Sequence, residues 1–175
     1  DWAVRWRRAL QAGVLQSHVR ELPALDPGEA LWVMLAPGLP AIAPGSVPLP
    51  TAWAEGGEAL RREIDRTLLL RALGWDGRLQ DGRRAAHVCV PVSRALLHPP
   101  DGDAWLDHLP RLHPASAPVT VLVDEADAAA APGAALVLAA GLRAAGLGLG
   151  LREWGSGLGS FALPGRLGVR TVILS

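Results

Sequence analysis

The sequence contains no lysine; all 17 of its basic residues are arginine. This removes a lysine nucleophile, a Schiff-base lysine and the lysine of a phosphate-binding P-loop. Cysteine is nearly absent as well. The single Cys89 excludes an intrachain disulfide and any cysteine-rich zinc site. Its place in the apolar run "HVCVPV" marks it as a core residue. Charge of one sign is missing too, because 17 acidic residues balance the 17 arginines. The chain therefore lacks the basic footprint of a nucleic-acid binder. Every apolar run is broken by Gly, Pro or Arg short of a membrane span, which predicts no membrane insertion by this segment, and no signal-peptide pattern opens the chain. Internal repeats are lacking.

What is present is a globular balance over 175 residues, 50% hydrophobic and 19% charged, enough for one domain with a sizeable core. A single domain over residues 1–175 is expected. Gly and Pro number 20 and 15, so turns are frequent. The chain starts at Asp1 and stops inside the apolar "VILS", and so reads as part of a longer protein.

"WAVRWRRALQAG" places Trp2, Trp6, Ala9 and Leu10 at helical spacing before Gly13. "LQSHVREL" alternates as a strand, the "DPGE" turn follows, and "ALWVMLA" reads as a buried strand that closes a hairpin. The Pro-rich "PGLPAIAPGSVPLPT" is expected to be irregular. The clearest helix is "EALRREIDRTLLLRAL", with Leu60, Ile64, Thr67, Leu68 and Ala72 on one face and Gly74 at its end. "AAHVCVPVS" and "PVTVLVDEA" read as strands. Between them "DAWLDHL" reads as a short helix capped by Asp103. "PGAALVLAAGLRAAG" is a helix with Pro132 near its start, and "LGLGLRE" and "GVRTVILS" are the last two strands. From residue 86 on, strands and helices alternate and the strands are apolar throughout. That pattern belongs to parallel strands buried on both faces, hence an α/β fold.

Chemistry-bearing motifs are few. Gly146, Gly148 and Gly150 start a G-x-G pattern, but Leu151 stands where a dinucleotide fingerprint needs glycine, and Gly155, Gly157 and Gly159 lead to Ser160. A strand with close backbone approach followed by a tight loop accounts for these glycines. Asp124, Glu125 and Asp127 end a strand, where a carboxylate cluster for metal and a solvated turn are both open readings. Arg152 beside Glu153 suggests a salt bridge. His18, His87, His98, His108 and His113 form no i, i+4 or H-x-H pair, and the last three read as exposed. Ser93 and Ser156 lack a nucleophile-elbow context.

In order along the chain, seven segments resemble the EAL domain, the bacterial cyclic-di-GMP phosphodiesterase family. They are "LQSHVRELPALDPG", "IAPGSVPLP…WAE", "EIDRTLLLRAL", "VPVSRALL", "VTVLVDEAD", "LRAAGLGLGLREWGSGLGS" and "LGVRTVILS". The last two are similar to the family's "L-A-L-D-D-F-G-T-G-x-S-S" and "L-P-V-D-x-L-K-I-D". The resemblance spans the whole chain but about two-thirds of the family's fold. It implies an incomplete or modified TIM-like (β/α) barrel whose first hairpin is antiparallel. It also implies where a site would stand. The family's metals are held by a Glu, an Asn, a second Glu and an Asp, and a Lys assists the attacking water.

At those places this chain departs. Pro91 stands for the Asn, Leu122 for the fourth-strand Glu, Arg152 for the first Asp of "D-D-F-G" and Ile173 for the Lys. Glu125 and Glu153 match in kind. The hairpin puts Val33 or Met34 at the signature Glu, which makes the literal "EAL" at Glu29–Leu31 a coincidence. Hard cations need oxygen ligands, and these residues do not supply them. The expectation is a degenerate, cytoplasmic EAL-like domain with no catalysis, no cofactor and no metal, whose partner is another protein or domain. A second copy is an open alternative as partner. Binding of cyclic-di-GMP is not favoured, because the family's phosphate-holding Arg of "E-A-L-L-R" is missing from "WVMLAPG", but a non-catalytic receptor that uses Arg152 for a phosphate stays open as the alternative.

Overall fold

Trp6, Ala3 and Ala9 lie on one stripe of α1, Trp2–Gln11, and all three are buried, so the helix forms by docking this face while Arg5, Arg7 and Arg8 stay in water. The computed structural model describes residues 2–23, 30–40, 49–99, 102, 104–109, 117–155 and 161–174, with backbone alone over 49–56. The DPGE turn at 26–29, Asp103, His113 and Ser156 lie outside the described residues, as do most of the Pro-rich segment and the C-terminal half of the glycine-rich loop.

The expected hairpin is present. β1, Gln16–Leu22, pairs antiparallel with β2, Trp32–Gly38, with Val19 opposite Leu35. The chain then crosses over through α2, Leu49–Gly74. This helix begins inside the segment expected to be irregular. It is interrupted at Gly57, whose φ of 71° is left-handed, a conformation that glycine adopts without a Cβ penalty. The face read from the sequence is the buried one: Leu60, Ile64, Leu68 and Ala72 are all 3% exposed or less.

β3 (His87–Pro91), β4 (Val119–Asp124), β5 (Gly148–Trp154) and β6 (Thr171–Leu174) follow, each parallel to the one before. α3 (Glu125–Ala130) and α4 (Pro132–Ala144) cross from β4 to β5, and α5 (Ala162–Leu167) precedes β6. The elements differ from the sequence reading in two further places, and β2 itself runs on to Gly38, inside the segment expected to be irregular. β4 stops at Asp124, and Glu125 already opens α3 rather than ending the strand. "AWLDH" is a 3-10 turn over Ala104–His108.

The sheet has six strands in the order β1-β2-β3-β4-β5-β6 and does not close on itself among the described residues. It is an open α/β sheet with the parallel crossovers of a TIM-like barrel. Side chains alternate between its faces. Val33, Leu35, Val88, Val90, Val121, Val123, Leu149 and Leu151 form the core with Ile64, Leu68, Leu138 and Leu142 of the helices. The other face carries Met34, Cys89, Thr120, Leu122 and Gly150, linked strand to strand by the parallel register. This second face corresponds to the inside of a barrel.

Candidate functional site at the carboxyl ends of the strands

In parallel α/β sheets, groups that touch ligands collect at the carboxyl ends of the strands. Here the rim of the inner face is built in two rows. The lower row runs Pro91, Leu122, Gly150 and Thr171; the upper holds Asp124 and Arg152 as direct register partners. Met34 is on the same face but pairs with Cys89, one row below Pro91. Val33, the other candidate, belongs to the opposite, helix-packed face with 0% exposure. Ile173 follows a register irregularity between β5 and β6 and is half-buried. Glu29 is not among the described residues.

Leu122 is 0% exposed. Its side chain fills the space beside Gly150, where an added Cβ would stand 2.7 Å from Leu122 Cδ2. The close approach expected of the glycine-rich strand is therefore real. It is an apolar contact, and neither Leu122 nor Gly150 brings a side-chain oxygen to this row.

Arg152 makes a two-pronged ion pair with Asp124. Its Nε donates to Asp124 Oδ1 and its Nη2 donates to Oδ2 at 3.2 Å. The salt bridge expected between Arg152 and Glu153 is thus made across strands instead. Adjacent residues of a strand point to opposite faces, and Glu153 is exposed, with a φ of 54°.

Glu125 corrects the reading of a solvated turn. It is 3% exposed, and its Oε2 accepts the backbone N–H of Gly155 at 2.9 Å. One carboxylate thereby pins the loop after β5 to the start of α3. Asp127, one turn on, is held above the usual carboxylate range by burial and by the charge of Asp124, against the opposing pull of Arg94, Arg152 and Arg61. No group of three His, Cys, Asp or Glu is placed to hold a metal ion among the described residues.

Sequence reasoning missed Asp65. It lies on α2 between Ile64 and Arg66, 2% exposed, and its Oδ2 accepts both the backbone N–H of Ser93 at 2.9 Å and the Ser93 hydroxyl at 2.7 Å. Burial pushes its pKa up to about 6; the Ser93 hydrogen bonds and the charges of Arg152 and Arg61 act in the other direction. The signal was available: an aspartate one residue from Ile64 and three from Leu68 falls on the buried side of an amphipathic helix, where an unpaired carboxylate would be costly. Ser93 is its partner. Of the histidines, His98 and His108 are exposed as expected. Cys89 is fully buried, and burial pushes its thiol up to about 12.

No family model matches the chain, and no curated protein matches its sequence. Solved structures do match. The FimX EAL domain from Pseudomonas aeruginosa bound to c-di-GMP is 19% identical, with a TM-score of 0.73, over 99% of this chain and 71% of that one. The Vibrio cholerae LapD S helix-GGDEF-EAL protein, also bound to c-di-GMP, is 13% identical at a TM-score of 0.73, over 99% of this chain and 42% of that one. A Xanthomonas citri FimX EAL domain in complex with c-diGMP is 23% identical at 0.69, over 99% and 68%. At these identities the likeness is one of architecture, and it joins the antiparallel hairpin and the parallel strands into one assignment: over its described residues the chain has the fold of an EAL domain.

Proposed function

We propose that this chain is an EAL-type domain without phosphodiesterase chemistry, acting in the bacterial cytoplasm as a regulatory protein–protein interaction module of cyclic-di-GMP signalling. The Arg152–Asp124 pair carries the proposal. A guanidinium sits on the rim where the resemblance puts a metal-binding carboxylate, and it already neutralises the nearest Asp. A divalent cation entering there would have to displace an internal cation. Pro91 and Leu122 in the row below offer no side-chain oxygen, and Ile173 no amine. Such a site neither clamps a phosphate through metal nor activates water.

A second reading is a non-catalytic receptor, favoured by the three neighbours whose structures hold c-di-GMP. Calorimetric titration with cyclic-di-GMP, with and without Mg²⁺, together with a hydrolysis assay, separates the readings. The interaction module predicts folded protein, no saturable heat and no product. A one-site isotherm in the micromolar range or tighter, about −8 kcal/mol, makes the chain a receptor, and turnover makes it an enzyme.

A further inference from the structure

The opposite end of the sheet holds a cavity of about 590 Å³, bounded by the amino ends of β2 to β6 and the loops beside α4 and α5. Its volume falls within the range of small-ligand pockets. Trp32 and His87 line it as a parallel stack, with ring centroids 3.9 Å apart and planes 11° from parallel. His87 Nε2 is hydrogen-bonded to Thr120 Oγ1 at 2.7 Å, which fixes the ring. Gly148 leaves room for that hydroxyl; a Cβ there would stand 2.9 Å from Thr120 Oγ1.

Two cations share the cavity with this stack. Arg143 and Arg170 both line the cavity, and neither makes an ion pair with a described residue. No carboxylate is among the described lining residues. Gly168 leaves room for the Arg143 guanidinium, since a Cβ on it would stand 3.0 Å from Arg143 Nη2. Burial holds the pKa of His87 down, so the positive charge of the cavity comes from the arginines. An aromatic platform, hydroxyls and two unopposed guanidiniums in one pocket are complementary to a planar base joined to a phosphate.

We propose that this cavity binds a nucleoside monophosphate, its base against the Trp32–His87 stack and its phosphate on Arg143 and Arg170. The site is at the far end of the strands from Arg152 and Asp124, so it stands or falls independently of the reading of the rim.

The test is titration of the chain with adenosine 5′-monophosphate, inorganic phosphate and adenosine, followed by calorimetry and by tryptophan fluorescence. The same titrations are run on an Arg143→Ala/Arg170→Ala double variant. Both arginines are exposed, so the variant folds, which circular dichroism checks. Adenosine monophosphate is expected to bind at least 10-fold more tightly than either phosphate or adenosine, and the double variant to lose at least 10-fold of that affinity. Equal affinity for inorganic phosphate would overturn the proposal by reducing the cavity to a simple anion site. So would binding that the double variant leaves unchanged, or no binding to the folded wild-type chain.

Discussion

Arg152 and Asp124 are register partners on adjacent parallel strands, and the arginine fork closes on both carboxylate oxygens. Their side chains remain 33% and 30% exposed, so water screens the pair and its net stabilisation is modest. Its consequence is positional. The rim carries its own cation as a side chain, tied down by two hydrogen bonds, while the row beneath it is closed by Leu122 against Gly150. Charge and volume are both filled from within the fold.

The substitution R152D inverts the local charge. It places a second carboxylate in register with Asp124. Like charges directly opposite on neighbouring strands destabilise, here on the order of 1 kcal/mol because the site is partly solvated. The variant is expected to melt lower than wild type. Millimolar Mg²⁺ or Ca²⁺ should restore part of the loss, because oxygen ligands would then converge, while wild type stays indifferent to metal. Thermal unfolding of both proteins with and without the ion checks this. A variant that metal does not rescue would show that Leu122 and Pro91 close the site even without the arginine.

Asp65 makes stability depend on pH in an unusual direction for a carboxylate. Its pKa in the fold is raised from 3.8 to about 6, so between those values the native state binds more protons than the unfolded one. The contribution of this group is fully present below 3.8 and is lost as pH rises through 6, by on the order of 3 kcal/mol. Asp65→Asn keeps an oxygen for the Ser93 donors and carries no charge to desolvate. Denaturant unfolding from pH 4 to 7 is expected to show a wild-type stability that falls more steeply with pH than that of the variant. Equal slopes would mean that Asp65 titrates normally.

The strands and the principal helices were legible because their signal is periodic: Ile64 and Leu68 recur at helical spacing, and the runs around Val90, Val121 and Leu149 are apolar without alternation, as doubly covered strands are. The start of α2 was not, because prolines at 48 and 50 argue for a loop and Gly57 hides the continuity of the two helical pieces. At the site, Arg152 was legible as a misplaced cation. Its partner was not, since choosing Asp124 over Glu153 depends on which face each residue occupies, and that is fixed by strand pairing. The turn reading of Glu125 failed for a related reason. Its carboxylate is satisfied by Gly155, 30 residues on, a contact that no local pattern encodes.

That contact gives a further expectation. Glu125→Ala would remove the acceptor of the Gly155 backbone N–H, which lies at an exposed residue that water reaches, at a cost of about 0.5–1.5 kcal/mol. Glu125→Gln keeps a carbonyl oxygen at the same reach and should recover most of it. Chemical denaturation of the two variants distinguishes a hydrogen-bonding role from one that needs the negative charge. If Gln is as damaging as Ala, the charge itself matters.

Two glycine-to-alanine substitutions should act in opposite directions. At Gly150 a new Cβ meets Leu122 Cδ2 at 2.7 Å, Thr120 Cγ2 at 3.0 Å and the backbone oxygen of Thr171 at 3.0 Å. The last of these belongs to the neighbouring strand and yields only if β6 moves. Overpacking of this kind costs about 1–3 kcal/mol. Gly133 lies in α4 with open space where its Cβ would be, so alanine there reduces the freedom of the unfolded chain and stabilises by about 0.5–1 kcal/mol. Midpoints of urea unfolding for G150A and G133A should therefore move to opposite sides of wild type. A neutral G150A would mean that β5 and β6 are not held at the observed spacing, and the inner face would then have room for a ligand that the close packing of Leu122 on Gly150 now excludes.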